Sequence, residues 1–284
     1  MNTPYNDPYA RLQVALREMA VIDAQRRTRG AGVQVAVIDT GVDFEHPDLR
    51  GQVVVRRNFV DGDFGRFAHD THGTEVSGVI AALADNGIGI VGIAPQARII
   101  ALKACWQTSA GAAAACNSFT LAQALEAAIV ARAAIVNMSL AGPPDPLLSR
   151  LIEQGAAQGT IFVGAAAHTP AGSFPADLPQ VLAVDAAEET SGKPHHLQAP
   201  GHDVLTLVSG GHYDFASGSS LAAAEVSGIV ALLLTQDPHL GAPQIRSLLL
   251  HSARRVASPG GEISVVDACS ALAEVVHGPG CARR

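Results

Sequence analysis

Three side chains in this sequence have the types that nucleophilic acyl transfer requires: Asp39, His72 and Ser220. A serine hydroxyl is a weak nucleophile until a neighbouring base accepts its proton. An imidazole acts as that base near neutral pH, and a buried carboxylate holds its second ring nitrogen in the correct tautomer. The sequence therefore contains the residue types of a catalytic triad, in the order Asp, His, Ser.

Taken singly, none of the three residues indicates catalysis. An Asp after an apolar run is usually a turn or capping residue, a His before Gly is usually a surface residue, and a Ser among Gly and Ser is usually part of a loop. Each of them, however, lies in a distinctive segment: V-I-D-T-G around Asp39, T-H-G-T around His72 and S-G-S-S-L-A around Ser220. Together, the residues and their surroundings favour the catalytic interpretation.

These segments resemble those of the subtilisin-like serine proteases, the subtilases. The order Asp, His, Ser is the order found in that family. The resemblance covers roughly residues 5 to 255. The matching segments follow the family's order and are Val35–Leu49, His72–Ala82, Asn86–Pro95, Ile135–Gly142, Ala199–Gly201 and Gly218–Gly228.

The resemblance implies a serine endopeptidase that works through an acyl-enzyme intermediate. Ser220 would be the nucleophile, His72 the general base and then the acid, and Asp39 the residue that orients His72. In the family, an S-L-G stretch pairs with the peptide substrate as an added strand. The substrate-binding residues that the resemblance implies are Ser139, Leu140, Ala141 (where the family has Gly), Gly142, Gly164, Ala165 and Ala166.

The sequence departs from the family at the oxyanion hole. The family has a donor Asn after a segment that corresponds here to G-A-A-A, and His168 stands at that position. The expected oxyanion donors are therefore His168 and the Ser220 backbone amide, with a non-contributing loop residue as the alternative for His168. This departure keeps two other functions open: a pseudoprotease that binds peptides without turnover, and a processing protease with one dedicated partner.

Two glutamates also depart from the family pattern. Glu75 stands where the family has His, and Ala224-Glu225 stands where it has Pro-His. Both glutamates are interpretable as structural replacements near a helix start. Their negative charge near the site also predicts a raised pKa for His72 and a higher pH optimum.

The family's calcium site suggests a further metal-binding region. The resemblance maps it onto Asp48, Asn86 in the loop after the His72 helix, and Asp7. Oxygen ligands from three segments suit a hard cation such as Ca²⁺. The alternative is that these are ordinary turn residues, and no cofactor is expected for catalysis itself.

Four cysteines form two local pairs in the sequence, Cys105 with Cys116 and Cys269 with Cys281. An even count with short loops favours two disulfides over free thiols. Disulfides and the family resemblance together predict a secreted or periplasmic protein, although the N-terminus lacks the features of a signal peptide.

Composition excludes several other functions. The chain has 284 residues and a net charge of −7, so nucleic acid is not an expected partner. The sequence contains no run of 18 apolar residues, so no membrane span is expected. The expected partners are a polypeptide substrate and an inhibitor or propeptide supplied in trans, and we expect a monomer with residues 1–284 as a single subtilisin-like catalytic domain.

Alternating strand and helix patterns predict the fold class. Such alternation is typical of an α/β protein with three layers: a mostly parallel β-sheet with helices on both faces. Apolar runs predict strands at Gln34–Ile38, Arg98–Ala104, Ile135–Leu140, Ile161–Ala165 and Val181–Val184. Helical patterns cover Val76–Leu83, Leu121–Arg132, Pro146–Gln158, Leu221–Gln236 and Pro243–His251.

Overall fold

A computed structural model describes residues 3–107, 114–167, 172–190, 192–258 and 261–278. Within these residues the strands, in chain order, are β1 (Gln34–Asp39), β2 (Val53–Asn58), β3 (Arg98–Lys103), β4 (Cys105–Gln107), β5 (Ala114–Cys116), β6 (Ile135–Met138), β7 (Ile161–Ala165), β8 (Val181–Ala186), β9 (Leu197–Ala199), β10 (Val204–Val208), β11 (His212–Ala216), β12 (Arg254–Ser258) and β13 (Gly261–Val265). The α-helices of the same part of the chain are α1 (Ala15–Glu18), α2 (Val21–Gln25), α3 (His72–Ala81), α4 (Ser118–Val130), α5 (Pro146–Ala157), α6 (Ser219–Gln236), α7 (Ala242–Ser252) and α8 (Ala268–Val275).

A seven-stranded sheet forms the middle layer, in the spatial order β2-β3-β1-β6-β7-β8-β9. Every pairing in it is parallel. Alternate residues of β1 enter different cores because strand side chains alternate between the two faces. Val35 and Val37 pack with α3 and α6, whereas Ala36 and Ile38 pack with α4 and α5. The predicted three-layer α/β fold is therefore confirmed.

The order of the strands determines where a cleft can form. In the sheet, β3 and then β2 lie on one side of β1, and β6 lies on its other side. Ligands of open α/β sheets bind beyond the carboxyl ends of the strands at such a reversal. Asp39 ends β1, and Ser139 directly follows β6, so both predicted site residues lie at this point.

The predicted elements differ from the observed ones mainly at their ends and at the sheet's edge. The side chain of Asn117 accepts a hydrogen bond from Thr120 N at 2.9 Å, so α4 begins three residues earlier than predicted. The edge strand β2 was not predicted, because its valines and arginines alternate poorly and Val54 and Val55 are exposed. The three-residue strand β9 and the antiparallel hairpins β4–β5, β10–β11 and β12–β13 were also missed.

Helix α6 lies in the core of the molecule. It is the one helix of the described residues that is long and apolar enough to cross a membrane, but 78% of that apolar window is buried inside the protein. The residues Leu221–Leu234 are buried on all sides of the helix. Its apolar composition is therefore explained by packing against the sheet, α3 and α8.

Candidate active site

Asp39 lies at the carboxyl end of β1, buried beneath the start of α3. Its Oδ1 accepts a hydrogen bond from Thr40 N at 2.7 Å, and only 4% of the residue is exposed. The backbone approaches closely here: a Cβ on Gly41 would lie 2.0 Å from Phe67 O, and one on Gly73 would lie 2.1 Å from Gly41 O. Glycine at position 41 therefore lets the segment before α3 approach the turn after β1, and glycine at position 73 lets the start of α3 approach it.

His72 is the first residue of α3 and faces Asp39. Its Nδ1 lies 2.8 Å from Asp39 Oδ1 and 3.0 Å from Oδ2. A carboxylate can only accept, so Nδ1 carries the proton and donates it. In the neutral imidazole, Nε2 is then the unprotonated nitrogen, which is the tautomer that a general base requires.

The charge next to His72 determines its protonation. The Asp39 carboxylate raises the pKa of His72 to about 9, with a smaller contribution from Glu75, while burial acts in the opposite direction. Burial also raises the pKa of Glu75. The expectation that nearby glutamates raise the pKa of His72 therefore holds for Glu75, which lines the same cleft. Glu225 lines a different cavity and does not contribute to the pKa of His72.

Ser220 is the second residue of α6, where backbone N–H groups have no acceptor within the helix. Its Oγ donates to Ser139 O at 3.3 Å, and Ser139 Oγ donates to Ser220 O at 2.8 Å. These two hydrogen bonds connect the start of α6 to the end of β6. In this arrangement the Ser220 hydroxyl bonds to Ser139 rather than to His72, so it must rotate to pass its proton to the imidazole.

A buried polar network supports this junction from behind. Asn137 Nδ2 donates to Ser139 Oγ at 3.0 Å, and Ser227 Oγ donates to Asn137 Oδ1 at 2.8 Å. Asn137 and Ser227 are fully buried. Satisfied polar groups in a core fix one geometry, so the network holds Ser139 in a single orientation.

Asp39, His72 and Ser220 line one cleft of about 1040 Å³. The predicted substrate residues Ser139, Leu140, Ala141, Gly142 and Ala165 line it as well. Gly164 and Ala166 do not line it, because neighbours of Ala165 along the chain point to the other face. A Cβ on Gly164 would lie 2.9 Å from Val181 Cγ1, and Ala166 is only 2% exposed.

Of the two predicted oxyanion donors, His168 lies outside the residues that the structure describes. The Ser220 backbone N–H lies at the N-terminus of α6, where the helix dipole favours negative charge. The cleft also contains residues that the sequence did not suggest, including Gln107, Asn117, Pro143 and Phe174. The available sequence signals were the cysteine pair, which flanks Gln107 and directly precedes Asn117, and the Ser139–Gly142 segment, which directly precedes Pro143.

The residues of the predicted calcium site are close together, but their oxygens already have donors. Asp48 Oδ1 accepts from Asn86 Nδ2 at 2.8 Å, and Asp48 Oδ2 accepts from Ile90 N at 2.9 Å. The Tyr213 hydroxyl also bonds to Asp48, and the Asp7 carboxylate accepts from the backbone N–H groups of residues 85 and 86. Since the amide of Asn86 presents its N–H group to Asp48, this arrangement does not fit a Ca²⁺ ion.

One of the predicted disulfides closes the hairpin beside the cleft. Cys105 and Cys116 face each other across β4 and β5 and are bonded, which confirms this pairing. Cys269 is also disulfide-bonded, and its predicted partner Cys281 lies outside the described residues.

Comparison with known proteins identifies the family. The Subtilase family profile matches residues 30–267. The thermophilic serine proteinase of Bacillus sp. (strain AK1) is 32% identical over 248 residues, which are 82% of this chain and 59% of that protein. The intracellular serine protease of Paenibacillus polymyxa is 35% identical over 227 residues, or 73% of this chain and 68% of that protein.

The fold agrees with these sequence matches. Fervidolysin from Fervidobacterium pennivorans, a keratinolytic enzyme related to subtilisin, matches with a TM-score of 0.80 and 27% identity, over 99% of this chain and 48% of fervidolysin. The chain belongs to the subtilase family. It spans about half the length of fervidolysin and 59% of the Bacillus proteinase.

Proposed function

We propose that this protein is a serine endopeptidase with Asp39, His72 and Ser220 as its catalytic triad. The observation that carries the proposal is the pairing of His72 Nδ1 with the Asp39 carboxylate at 2.8 and 3.0 Å, in a cleft that Ser220 also lines. Membership of a family whose relatives are named serine proteases supports it.

The mechanism follows from the positions of these groups. A peptide binds along Ser139–Gly142 as an added strand, with its scissile carbonyl at Ser220. Nε2 of His72 accepts the Ser220 proton as Oγ attacks, and the Asp39 carboxylate stabilises the imidazolium that forms. The Ser220 N–H donates to the developing oxyanion. His72 then protonates the leaving amine, and water attacks the acyl-enzyme by the same route to release the acid and regenerate the hydroxyl.

The nucleophile assignment is tested by fluorophosphonate labelling and by hydrolysis of a protein substrate. We expect the wild type to be labelled and Ser220→Ala to lose the label and at least about 10⁴-fold in kcat, the scale expected when a triad nucleophile is removed. Ser219→Ala removes the adjacent hydroxyl on the same helix and should keep the label. Matching circular dichroism spectra would show that both variants fold.

Other outcomes would favour other functions. If folded wild type neither cleaves nor reacts, the pseudoprotease alternative stands. If the label is retained in Ser220→Ala, the triad assignment is wrong. A peptide library then separates a general endopeptidase, which cleaves many sequences, from a processing protease that cleaves a few.

We propose that this protein is secreted or periplasmic, because it contains disulfide bonds. Cys105–Cys116 is bonded and Cys269 is disulfide-bonded, and such bonds persist in oxidising compartments. One relative is named as intracellular, so the family alone does not decide the location. Trapping thiols with an alkylating reagent at the moment of lysis tests this proposal: unmodified cysteines agree with it, and alkylated cysteines contradict it.

A further inference from the structure

A second cavity of about 470 Å³ is lined by residues of α3 and α6 other than those that line the cleft. Its inner walls are apolar and include Leu16, Val79, Ile93 and Leu205, all less than a tenth exposed. None of its lining residues lines the proposed active site. The volume lies in the range of small-molecule sites, which are mostly apolar with a few polar groups.

Glu225 is the unusual residue of this cavity. It lies on α6, is 1% exposed and lines the cavity, and its Oε2 has no hydrogen-bond partner in the protein. Buried carboxyl groups without partners are costly, and native proteins rarely keep them without a reason. The protein therefore presents an unsatisfied acid beside the apolar inner walls of this cavity.

Further acidic groups face the same space. Glu18 from the N-terminal segment and Glu188 after β8 line the cavity, and each disfavours the ionisation of Glu225. Glu188 Oε2 also accepts from Gly201 N at 3.0 Å. Asp203 and His202 lie at the exposed rim, 3.2 Å apart through Oδ2 and Nδ1.

Among the residues that the structure describes, neither Lys nor Arg lines the cavity, and His202 at its rim pairs with Asp203. Arg17 and Arg254 act on Glu18 electrostatically, but the Arg254 side chain donates to the backbone oxygens of Arg17 and Glu18. A metal ion is a poor match, because the described residues contain no group of three or more His, Cys, Asp or Glu that could hold one.

We propose that this cavity binds a small organic cation with an apolar stem, of the alkylammonium or alkylguanidinium class. The charged head would donate to Glu225, and the stem would pack against Leu16, Val79 and Ile93. A cationic donor satisfies the buried carboxylate, and the apolar walls favour an alkyl chain over a hydrated ion. The site is independent of the proposed protease activity.

Binding should depend on pH in a defined direction. Burial raises the pKa of Glu225 well above its usual range, and Glu188 and Glu18 add to the rise. The raised pKa favours the protonated form of Glu225 in the empty site, and this proton is released when the cation binds to the ionised form. Affinity should therefore increase with pH, because the cost of removing this proton falls as pH rises.

The test measures binding of n-butylammonium and n-butylguanidinium by calorimetry, with n-butanol as the neutral probe of equal stem length. We expect the wild type to bind the cations and Glu225→Gln to bind them at least about tenfold more weakly, because the amide has no charge. Glu75→Gln removes a carboxylate from the cleft and should leave this binding unchanged, which separates the two sites.

Three results would overturn the proposal: no binding of either cation to the wild type, equal binding of n-butanol, or equal binding to Glu225→Gln. If Glu225→Gln does not fold, Ile263→Trp fills the cavity from its half-buried wall and should block binding. These readouts need no catalysis, so they remain valid if the protease assignment fails.

Discussion

The protonation of a single imidazole controls the chemistry proposed for the cleft. The carboxylate of Asp39 stabilises the charged form of His72 and raises its pKa to about 9, and Glu75 contributes in the same direction. Only the neutral imidazole can accept a proton from Ser220. The balance between the two forms should therefore set the pH at which the enzyme works.

We predict that kcat/KM for a peptide substrate rises with pH through a single ionisation near pH 9. The rise is expected because the fraction of neutral His72 increases as pH approaches its pKa of about 9. Glu75→Gln removes a negative charge that favours the imidazolium, so the curve should move to lower pH. The measurement is the pH profile of kcat/KM at constant ionic strength.

The control for this prediction is Glu153→Gln. This substitution also removes a negative charge, but Glu153 lies on the exposed side of α5 and does not line the cleft. It should leave the profile where it is. If Glu75→Gln does not move the profile, or if both variants move it equally, Glu75 does not act on His72 through its charge.

At the scale of elements, the β4–β5 hairpin connects the Cys105–Cys116 disulfide with the start of α3. Gln107, at the end of β4, accepts a hydrogen bond through Oε1 from Thr71 N at 3.3 Å, and Thr71 precedes His72. The hairpin residues Cys105, Gln107, Ala114 and Cys116 all line the cleft. A change in this hairpin is therefore expected to alter both the stability of the protein and the shape of the cleft wall that the hairpin forms.

We predict that Cys105→Ser combined with Cys116→Ser lowers the free energy of unfolding by about 2–3 kcal/mol, because the unfolded chain regains the entropy that the cross-link removed. It should also raise KM more than it lowers kcat, since the hairpin lines the cleft but contains no member of the proposed triad. Urea unfolding and steady-state kinetics measure the two effects.

Ala115→Ser is the matched control, because it adds one hydroxyl to the same hairpin opposite Trp106 and keeps the disulfide. It should change neither quantity appreciably. An unaltered unfolding free energy in the double serine variant would mean that the closed loop does not constrain the unfolded state.

At the scale of the whole molecule, the loops that the family resemblance assigns to calcium are joined by hydrogen bonds. Asp48 links the segment after β1 to Asn86 and Ile90 in the loop after α3, and to Tyr213 on β11. Asp7 joins the N-terminal segment to the same loop. These hydrogen bonds connect four parts of the chain.

We therefore expect EDTA to leave the melting temperature of the protein unchanged, and excess Ca²⁺ not to raise it. An ion that bound only the folded state would stabilise it by mass action, so removing that ion would lower the melting temperature. Thermal unfolding followed by circular dichroism, with Mg²⁺ as the control ion, measures this. A melting temperature that falls in EDTA and recovers only with Ca²⁺ would restore the calcium assignment.

The sequence by itself was sufficient for the fold class, the family and the residue types of the proposed triad. Buried parallel strands are nearly continuous apolar runs, so β1, β3, β6, β7 and β8 were predictable from local composition. The short motifs around Asp39, His72 and Ser220 were also informative, because the close backbone approaches at Gly41 and Gly73 tolerate no side chain. The Cys105–Cys116 bond followed from spacing alone.

Tertiary structure alone decided which residues share a space. Periodicity does not show that Ala165 faces the cleft while Gly164 and Ala166 face away, since that depends on neighbouring strands and loops. The separation of Glu75 from Glu225 is also tertiary: identical E-V-S-G segments lie within α3 and α6, yet one glutamate faces the cleft and the other a separate cavity. Contacts between residues distant in sequence set burial and electrostatic surroundings, and no local pattern contains them.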